Sequence, residues 1–222
     1  MPKHCLRSPA PACETIANCP QRAIVLPWRQ PKGAGAGVAV MHRRATRRTA
    51  AGLRRGSVWP MATAQAPDPE LFREVFGRFA TGVAVITSAG PAGAGGMTAN
   101  AVCSLSLEPL LALVCFENQA RTLPIVRDAG RFAINVLASS QQDLAAVFAS
   151  KVPETEKLQA VDHRLELGVP LIDGSLAWAV CELRELLAGG DHTIAIGEVV
   201  AMGLGDGRPL LWYGGRYHAG TL

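Results

Sequence analysis

From Gly82 onward the chain is written as short β-rich runs, most of them separated by glycine. GVAVITS opens at Gly82, AGPAGAGG follows as a flexible turn, and MTANAVCSLSL, LLALVCFE and RFAINVL come next. SLAWAVCELRELLAGG, DHTIAIGEVVAMGLGDG and PLLWYGGRYH complete the series as three more strands. Runs rich in β-branched residues and bounded by glycine favour strands over helices. Many short strands, few helices and no internal repeat predict an antiparallel barrel, closed or nearly closed, because closure removes the exposed edges of a sheet.

Three helices accompany the strands. Asp68 is placed to cap a helix that has Pro69 at its first position, with Leu71, Phe72, Val75, Phe76 and Phe79 at helical spacing. ARTLPIVRDAG predicts a short helix ended by Gly130. QQDLAAVFAS predicts another, with Leu144, Val147 and Phe148 on one face, followed by a polar loop.

One strand is chemically unusual. Alternate residues of an extended strand share a face, so in GMTANAVCSLSL the residues Thr98, Asn100, Val102, Ser104 and Ser106 point one way. Ala99, Ala101, Cys103, Leu105 and Leu107 point the other way, toward a core. A polar face turned to solvent would account for this pattern. Yet its side chains are short and uncharged rather than Lys and Glu, and small residues let a flat ligand approach the backbone. Beyond the next strand, Asn118, Arg121 and Thr122 bring a guanidinium to a helix N-terminus, a combination that can hold a phosphate.

Other chemistry is not indicated. No G-x-G-x-x-G follows a strand, and GAGAGV at Gly33 lacks the third glycine. Phosphate-loop, G-x-S-x-G and H-E-x-x-H motifs are missing, so any nucleotide chemistry is not on a Rossmann or P-loop frame. The six cysteines, at 5, 13, 19, 103, 115 and 181, form no C-x-x-C and have no clustered histidines, so no metal site is predicted. Cys103, Cys115 and Cys181 lie in apolar runs and are expected to be small buried hydrophobes, which suits a reducing cytoplasm. Apolar runs such as LLALVCF are too short to span a bilayer.

Charge divides the chain near residue 60. Residues 1–60 hold 11 basic residues against one acid, and residues 61–222 hold 11 against 17. The basic part is Pro-rich and Gly-Ala-rich with little apolar periodicity, which predicts a disordered leader. Arg47 and Arg48 suggest a twin-arginine export signal, but Arg54 and Arg55 cut the apolar segment such a signal needs. Nucleic-acid binding would call for interleaved aromatics, and the leader has only the isolated Trp28 and Trp59. The expectation is that Met61 begins the functional protein, residues 61–222, and that 1–60 are dispensable.

Four motifs then occur in order: FATGVAVIT from Phe79, GMTANAVCSLS from Gly96 with Pro109 behind it, FAINVL from Phe132, and Gly190-Asp191-His192. Together they resemble the flavin reductase-like, FMN-binding split-barrel family, the small reductase components of two-component flavin monooxygenases. The resemblance covers nearly all of residues 68–220. The fold class it implies is mainly β with a few helices, an antiparallel split β-barrel of FMN-binding type.

The resemblance also implies roles. Thr98, Ala99, Asn100 and Ala101 would lie along the isoalloxazine, and Ser104 and Ser106 along the ribityl-phosphate side. Asn118, Arg121 and Thr122 would close the phosphate site, while Thr81 and Gly82 would also touch the flavin. His192 would serve the nicotinamide. The cofactors implied are FMN or FAD, with NADH or NADPH as hydride donor, and the expected partners are a second copy of the chain and an oxygenase. Leu110 departs from the pattern, where a second proline commonly follows Pro109. His163 reads as a surface residue outside the site, although family members use this region near the flavin. Trp178 and Trp212 read as core or interface aromatics, and Arg216 and Tyr217 are secondary candidates for a nucleotide phosphate. Two rival functions remain at this stage: a flavin carrier or sensor without nicotinamide turnover, and a self-contained oxidase or oxygenase on the same barrel.

Overall fold

The structure, a computed structural model, describes residues 66–91 and 93–219. The expected leader, its export-signal reading and the start at Met61 lie outside the described residues.

Helix α1 (Pro69–Gly77) begins as expected: the Asp68 carboxylate accepts the N–H groups of Glu70 and Leu71 at 2.9 and 3.0 Å. Its apolar stripe, however, is largely uncovered among the described residues: Phe72, Val75 and Phe76, with Phe79 just past its end, are all exposed. The strands that follow are β1 (Thr81–Gly82), β2 (Ala84–Gly90), β3 (Gly93–Ala99), β4 (Val102–Leu107) and β5 (Leu110–Glu117). Helix α2 (Thr122–Ala129) ends at Gly130, whose φ of +64° lets its N–H reach the Val126 carbonyl. After β6 (Arg131–Val136) come a single 3₁₀ turn at Ser139–Gln141 and helix α3 (Gln142–Ala149).

The expected polar loop after α3 carries more structure than its sequence suggested. It contains helix α4 (Glu154–Gln159) and a hairpin of β7 (His163–Glu166) and β8 (Val169–Ile172). Two long strands, β9 (Ala177–Gly189) and β10 (His192–Leu204), come next, and β11 (Leu210–Tyr213) turns at Gly214–Gly215 into β12 (Arg216–Ala219). PLLWYGGRYH is thus a hairpin rather than one strand.

Seven strands form one antiparallel sheet in the order β3-β2-β6-β9-β10-β5-β4. The polar stretch expected to be a single strand is therefore two. β3 pairs with β2 at one edge and β4 with β5 at the other, and only Asn100 and Ala101 lie between them. Two residues span at most about 7 Å when extended, so the sheet must curl until its edges meet. No ladder joins β3 to β4 among the described residues, and the Ala101 carbonyl instead accepts the N–H of Cys115 at 3.0 Å. The barrel stays split along this seam.

The split overturns the expected alternation on β4. This edge strand is bulged between Ser104 and Ser106, and Cys103, Leu105 and Leu107 are exposed rather than core-directed. The reason is that β4 has a neighbour on one side only and no layer covers it. Of the other cysteines expected inside, Cys181 is fully buried and Cys115 is half-buried.

The barrel interior is filled by Ile86, Val114, Phe116, Phe132 and Cys181. A second core, with Val85, Phe148 and Leu210, joins β2 to α3 and to the small β1-β11-β12 sheet. Helices α2, α3 and α4 cover β2 and β3. Gly95 and Gly96, expected in a flexible turn, sit inside β3, where this covering requires them: a Cβ on Gly96 would lie 2.8 Å from the Phe148 ring, and one on Gly95 2.7 Å from Ile125.

Candidate functional site

Two adjoining cavities open along the β3 side of the seam. The larger, of about 590 Å³, is bounded by Thr98 on β3, by Glu117 and Gln119 to Thr122 where β5 passes into α2, and by the chain from Phe148 into α4. The smaller, of about 190 Å³, lies against Val83, Thr98, Ala99, Asn100, Trp212 and Tyr217. Thr98 and Ala149 line both, so the two form one elongated groove. The larger cavity alone falls in the range of about 300–1,000 Å³ usual for ligand sites.

The ends of the groove differ in chemistry. At the large end the Arg121 guanidinium donates to the Val152 carbonyl at 2.7 Å and lies 3.5 Å from the Glu154 carboxylate. Thr122 is buried, and its hydroxyl donates to Glu154 at 3.3 Å. Lys157, also buried, lies 3.0 Å from the same carboxylate. At the small end the rings of Trp212 and Tyr217 meet edge to face, 4.9 Å between centroids. Burial pushes the Tyr217 phenol above its ordinary value.

The predicted residues distribute unevenly over this groove. Thr98, Ala99, Asn100, Arg121 and Thr122 line it. The Thr98 hydroxyl donates to the Ala145 carbonyl at 2.6 Å, which fixes its side chain against α3. Thr81 lies opposite Trp212 in the β1–β11 ladder, so the two share a face, and its buried hydroxyl has no hydrogen-bond partner. Beside it Gly82 has open space where a Cβ would stand. Asn118 is tied at both ends: its amide donates to the Gly190 carbonyl at 3.2 Å and its oxygen accepts the Thr193 hydroxyl at 2.7 Å. It pins the segment after β5 to the turn before β10.

Ala101, Ser104 and Ser106 line neither cavity, and the Ser106 hydroxyl oxygen accepts the N–H of Glu108. His192 is also outside the lining, yet the β10–β5 ladder sets it opposite Glu117 and on the same face as that cavity residue. Its Nδ1 lies 2.8 Å from Asp191, and this hydrogen bond, with the imidazole's charge, holds the Asp191 carboxyl below the usual carboxylate range. Arg216 and His163 are exposed, Trp178 lies under the Arg164 guanidinium at 5.6 Å, and none of the three lines the groove.

The wall made by Phe148, Ala149, Glu154 and Lys157 escaped the sequence reading. Its signal was Pro153 followed by Glu154 and Lys157 three residues apart, a helix start inside a stretch read as loop. Among the described residues no group of three His, Cys, Asp or Glu is placed to hold a metal, and no helix is long and apolar enough to cross a membrane.

A flavin nucleotide fits this lining: cations and a hydroxyl at one end and flat rings at the other, with the orphaned Thr81 hydroxyl on the strand beside Trp212. A curled antiparallel sheet, unlaced along one seam that carries a groove of nucleotide size, defines the class as a split β-barrel. Comparison with known proteins narrows this, because the family described as Flavin reductase like domain matches residues 76–221. The chain belongs to that family.

Its relatives include the flavin-dependent monooxygenase reductase subunit HsaB of Mycobacterium tuberculosis, 40% identical over 154 residues, covering 68% of this chain and 81% of that one. An NADH-dependent flavin reductase of a Rhodococcus species is 35% identical over 164 residues, covering 71% and 92%. A Rhizobium meliloti relative is 43% identical over 141 residues, but this chain spans only 45% of its length. Among solved structures, the Streptomyces globisporus NADH:FAD oxidoreductase SgcE6, in complex with NAD and FAD fragments, superposes with a TM-score of 0.65. It is 37% identical, covering 70% of this chain and 96% of that one.

Proposed function

We propose that the protein is an NADH-dependent flavin reductase that delivers reduced flavin to a partner monooxygenase. The observation that carries this reading is the groove with the Arg121 guanidinium and the Thr122 hydroxyl at one end and the aromatic pair Trp212 and Tyr217 at the other. The names of the relatives support the activity and the kind of partner.

When bound, the flavin supplies the ring that accepts a hydride from the nicotinamide; the protein binds, orients and excludes water. Arg121 and Thr122 hold the phosphate, and Thr98 to Ala101 lie along the ring, with the unpartnered Thr81 hydroxyl beside Gly82 at its end of the groove. Ser104 and Ser106 lie outside both cavities, on the β4 edge across the seam, and a ribityl role for them in this reading needs the ligand to extend beyond the groove. Asn118 positions the segment that carries Arg121, and His192, steadied by Asp191, orients the nicotinamide. The hydride transfer itself needs no side-chain acid–base pair.

The assembly in this reading is a homodimer. The exposed stripe of α1 supports it, since Phe72, Val75 and Phe76 on one helix face, with Phe79 just beyond its end, favour burial against another surface. The compartment is the cytoplasm, where an exposed thiol such as Cys103 stays reduced.

Purified protein mixed with NADH and FMN tests the reading directly. Flavin-dependent loss of nicotinamide absorbance is expected, and its absence would leave a flavin carrier as the better description. The same assay with FMN or FAD and with NADH or NADPH identifies the preferred pair.

A further inference from the structure

Glu154 is one carboxylate facing two cations. Its Oε1 takes the Lys157 ammonium at 3.0 Å and the Arg121 guanidinium at 3.5 Å. Its Oε2 accepts the backbone N–H of Gly96 at 3.0 Å and the Thr122 hydroxyl at 3.3 Å. The Lys157 side chain is 3% exposed. An ammonium that far from solvent is costly unless it is paired. With Lys151 and Glu117 also in the lining, three cations face two carboxylates, so a positive charge is left over in the groove wall.

Lys157 also has a donor to spare. An ammonium carries three N–H groups; the Phe148 carbonyl at 3.1 Å and Glu154 engage two. Both Lys157 and Arg121 line the larger cavity and meet at one carboxylate oxygen, so one multi-oxygen anion can reach both. We propose that Lys157 is a second phosphate-binding cation of the groove, held in position by Glu154, and that the pair Arg121–Lys157 selects ligands ending in a phosphate monoester. The proposal rests on the flavin reading of the groove. A merely structural Lys157 would tie α4 to the end of α3 and do nothing for the ligand.

The two roles separate by experiment. Lys157→Gln removes the charge but keeps donors for Phe148 and Glu154, so the fold is retained; Lys157→Arg keeps the charge. Fluorescence titration of the full chain with FMN and with riboflavin reads the phosphate contribution, with Arg121→Ala as reference. Lys157→Gln should weaken FMN about tenfold, the scale of one charge-assisted hydrogen bond, leave riboflavin within about twofold, and be largely restored by Lys157→Arg. Inorganic phosphate should raise the melting temperature of the wild type more than that of Lys157→Gln. Equal weakening of FMN and riboflavin, or unchanged FMN binding, overturns the proposal. If the wild type binds FMN no tighter than riboflavin while phosphate still stabilises it through Lys157, the anion site stands and the flavin placement is what falls.

Discussion

His192 is the first residue of β10, one position beyond the exposed Asp191 that steadies its imidazole. A contact so exposed adds little to stability, so its value lies in orientation. His192→Ala should leave flavin affinity nearly intact and slow reduction of bound flavin by about ten- to hundredfold, equivalent to ~1.4–2.7 kcal/mol of lost geometry. Stopped-flow reduction together with a flavin titration reads both quantities. A wild-type rate, or a collapse of binding alongside the rate, would remove His192 from the nicotinamide site. Cys181 makes a different case. Burial pushes its thiol from an ordinary 9.0 to about 12, and burial also raises Cys115 and Tyr217. A raised folded-state value means that the stability is complete below pH 9 and declines as the unfolded chain ionises first, between about 9 and 12. Denaturation midpoints should therefore fall across that window, and fall less in Cys181→Ala; an identical pH profile for the two proteins would contradict this. Such residues show how much of a site a sequence displays. Arg121 and Thr122 stood out because charge at a helix start is a local pattern, whereas Lys157 and Glu154 became visible only once α4 folded against β3.

Among the elements, β6 shows a motif residue with a structural task. Asn135, inside FAINVL, donates to the Val85 carbonyl and the Thr87 hydroxyl, both at 3.0 Å, and accepts the Ile172 N–H at 2.9 Å. Thr87 in turn donates to the Pro170 carbonyl. One buried amide thus laces β2, β6 and the β7–β8 hairpin together. Asn135→Ala strands the buried Ile172 N–H, so a loss of about 1–3 kcal/mol is expected, one desolvation penalty. Urea unfolding measures it, and a loss below about 0.5 kcal/mol would show that water replaces the amide. The hairpin itself was hard to read, because VDHRLELGVP is short, mixed in polarity and turns at Leu167–Gly168 with a non-glycine residue at φ +49°. The opposite error occurred at Asn100–Ala101. Period-two alternation ran unbroken through a point where the chain leaves one edge of the sheet for the other, since alternation records faces and carries no information about partners.

At the scale of the whole molecule, α1 is an element whose apolar side the described residues leave largely uncovered. Its Gly77 carbonyl accepts the N–H of Gly214, yet Phe72, Phe76 and Phe79 are 61%, 60% and 72% exposed. A second copy covering this stripe predicts a two-chain mass in sedimentation, and Phe72→Glu combined with Phe76→Glu should shift that mass to one chain. A wild type that sediments as a single chain would sink the homodimer reading. The sequence by itself determined the course of most of the strands and that glycine ends α2 at Gly130, because these follow from side-chain shape and backbone freedom over a few residues. It also carried the ordered motifs that mark the family. Tertiary structure alone decided that the polar stretch divides across the seam, that Cys103 and Leu107 face outward, and that Glu154 and Lys157 enter the groove. Those outcomes depend on which distant segment covers a given face, and burial is a property of the assembled neighbours that no local period encodes.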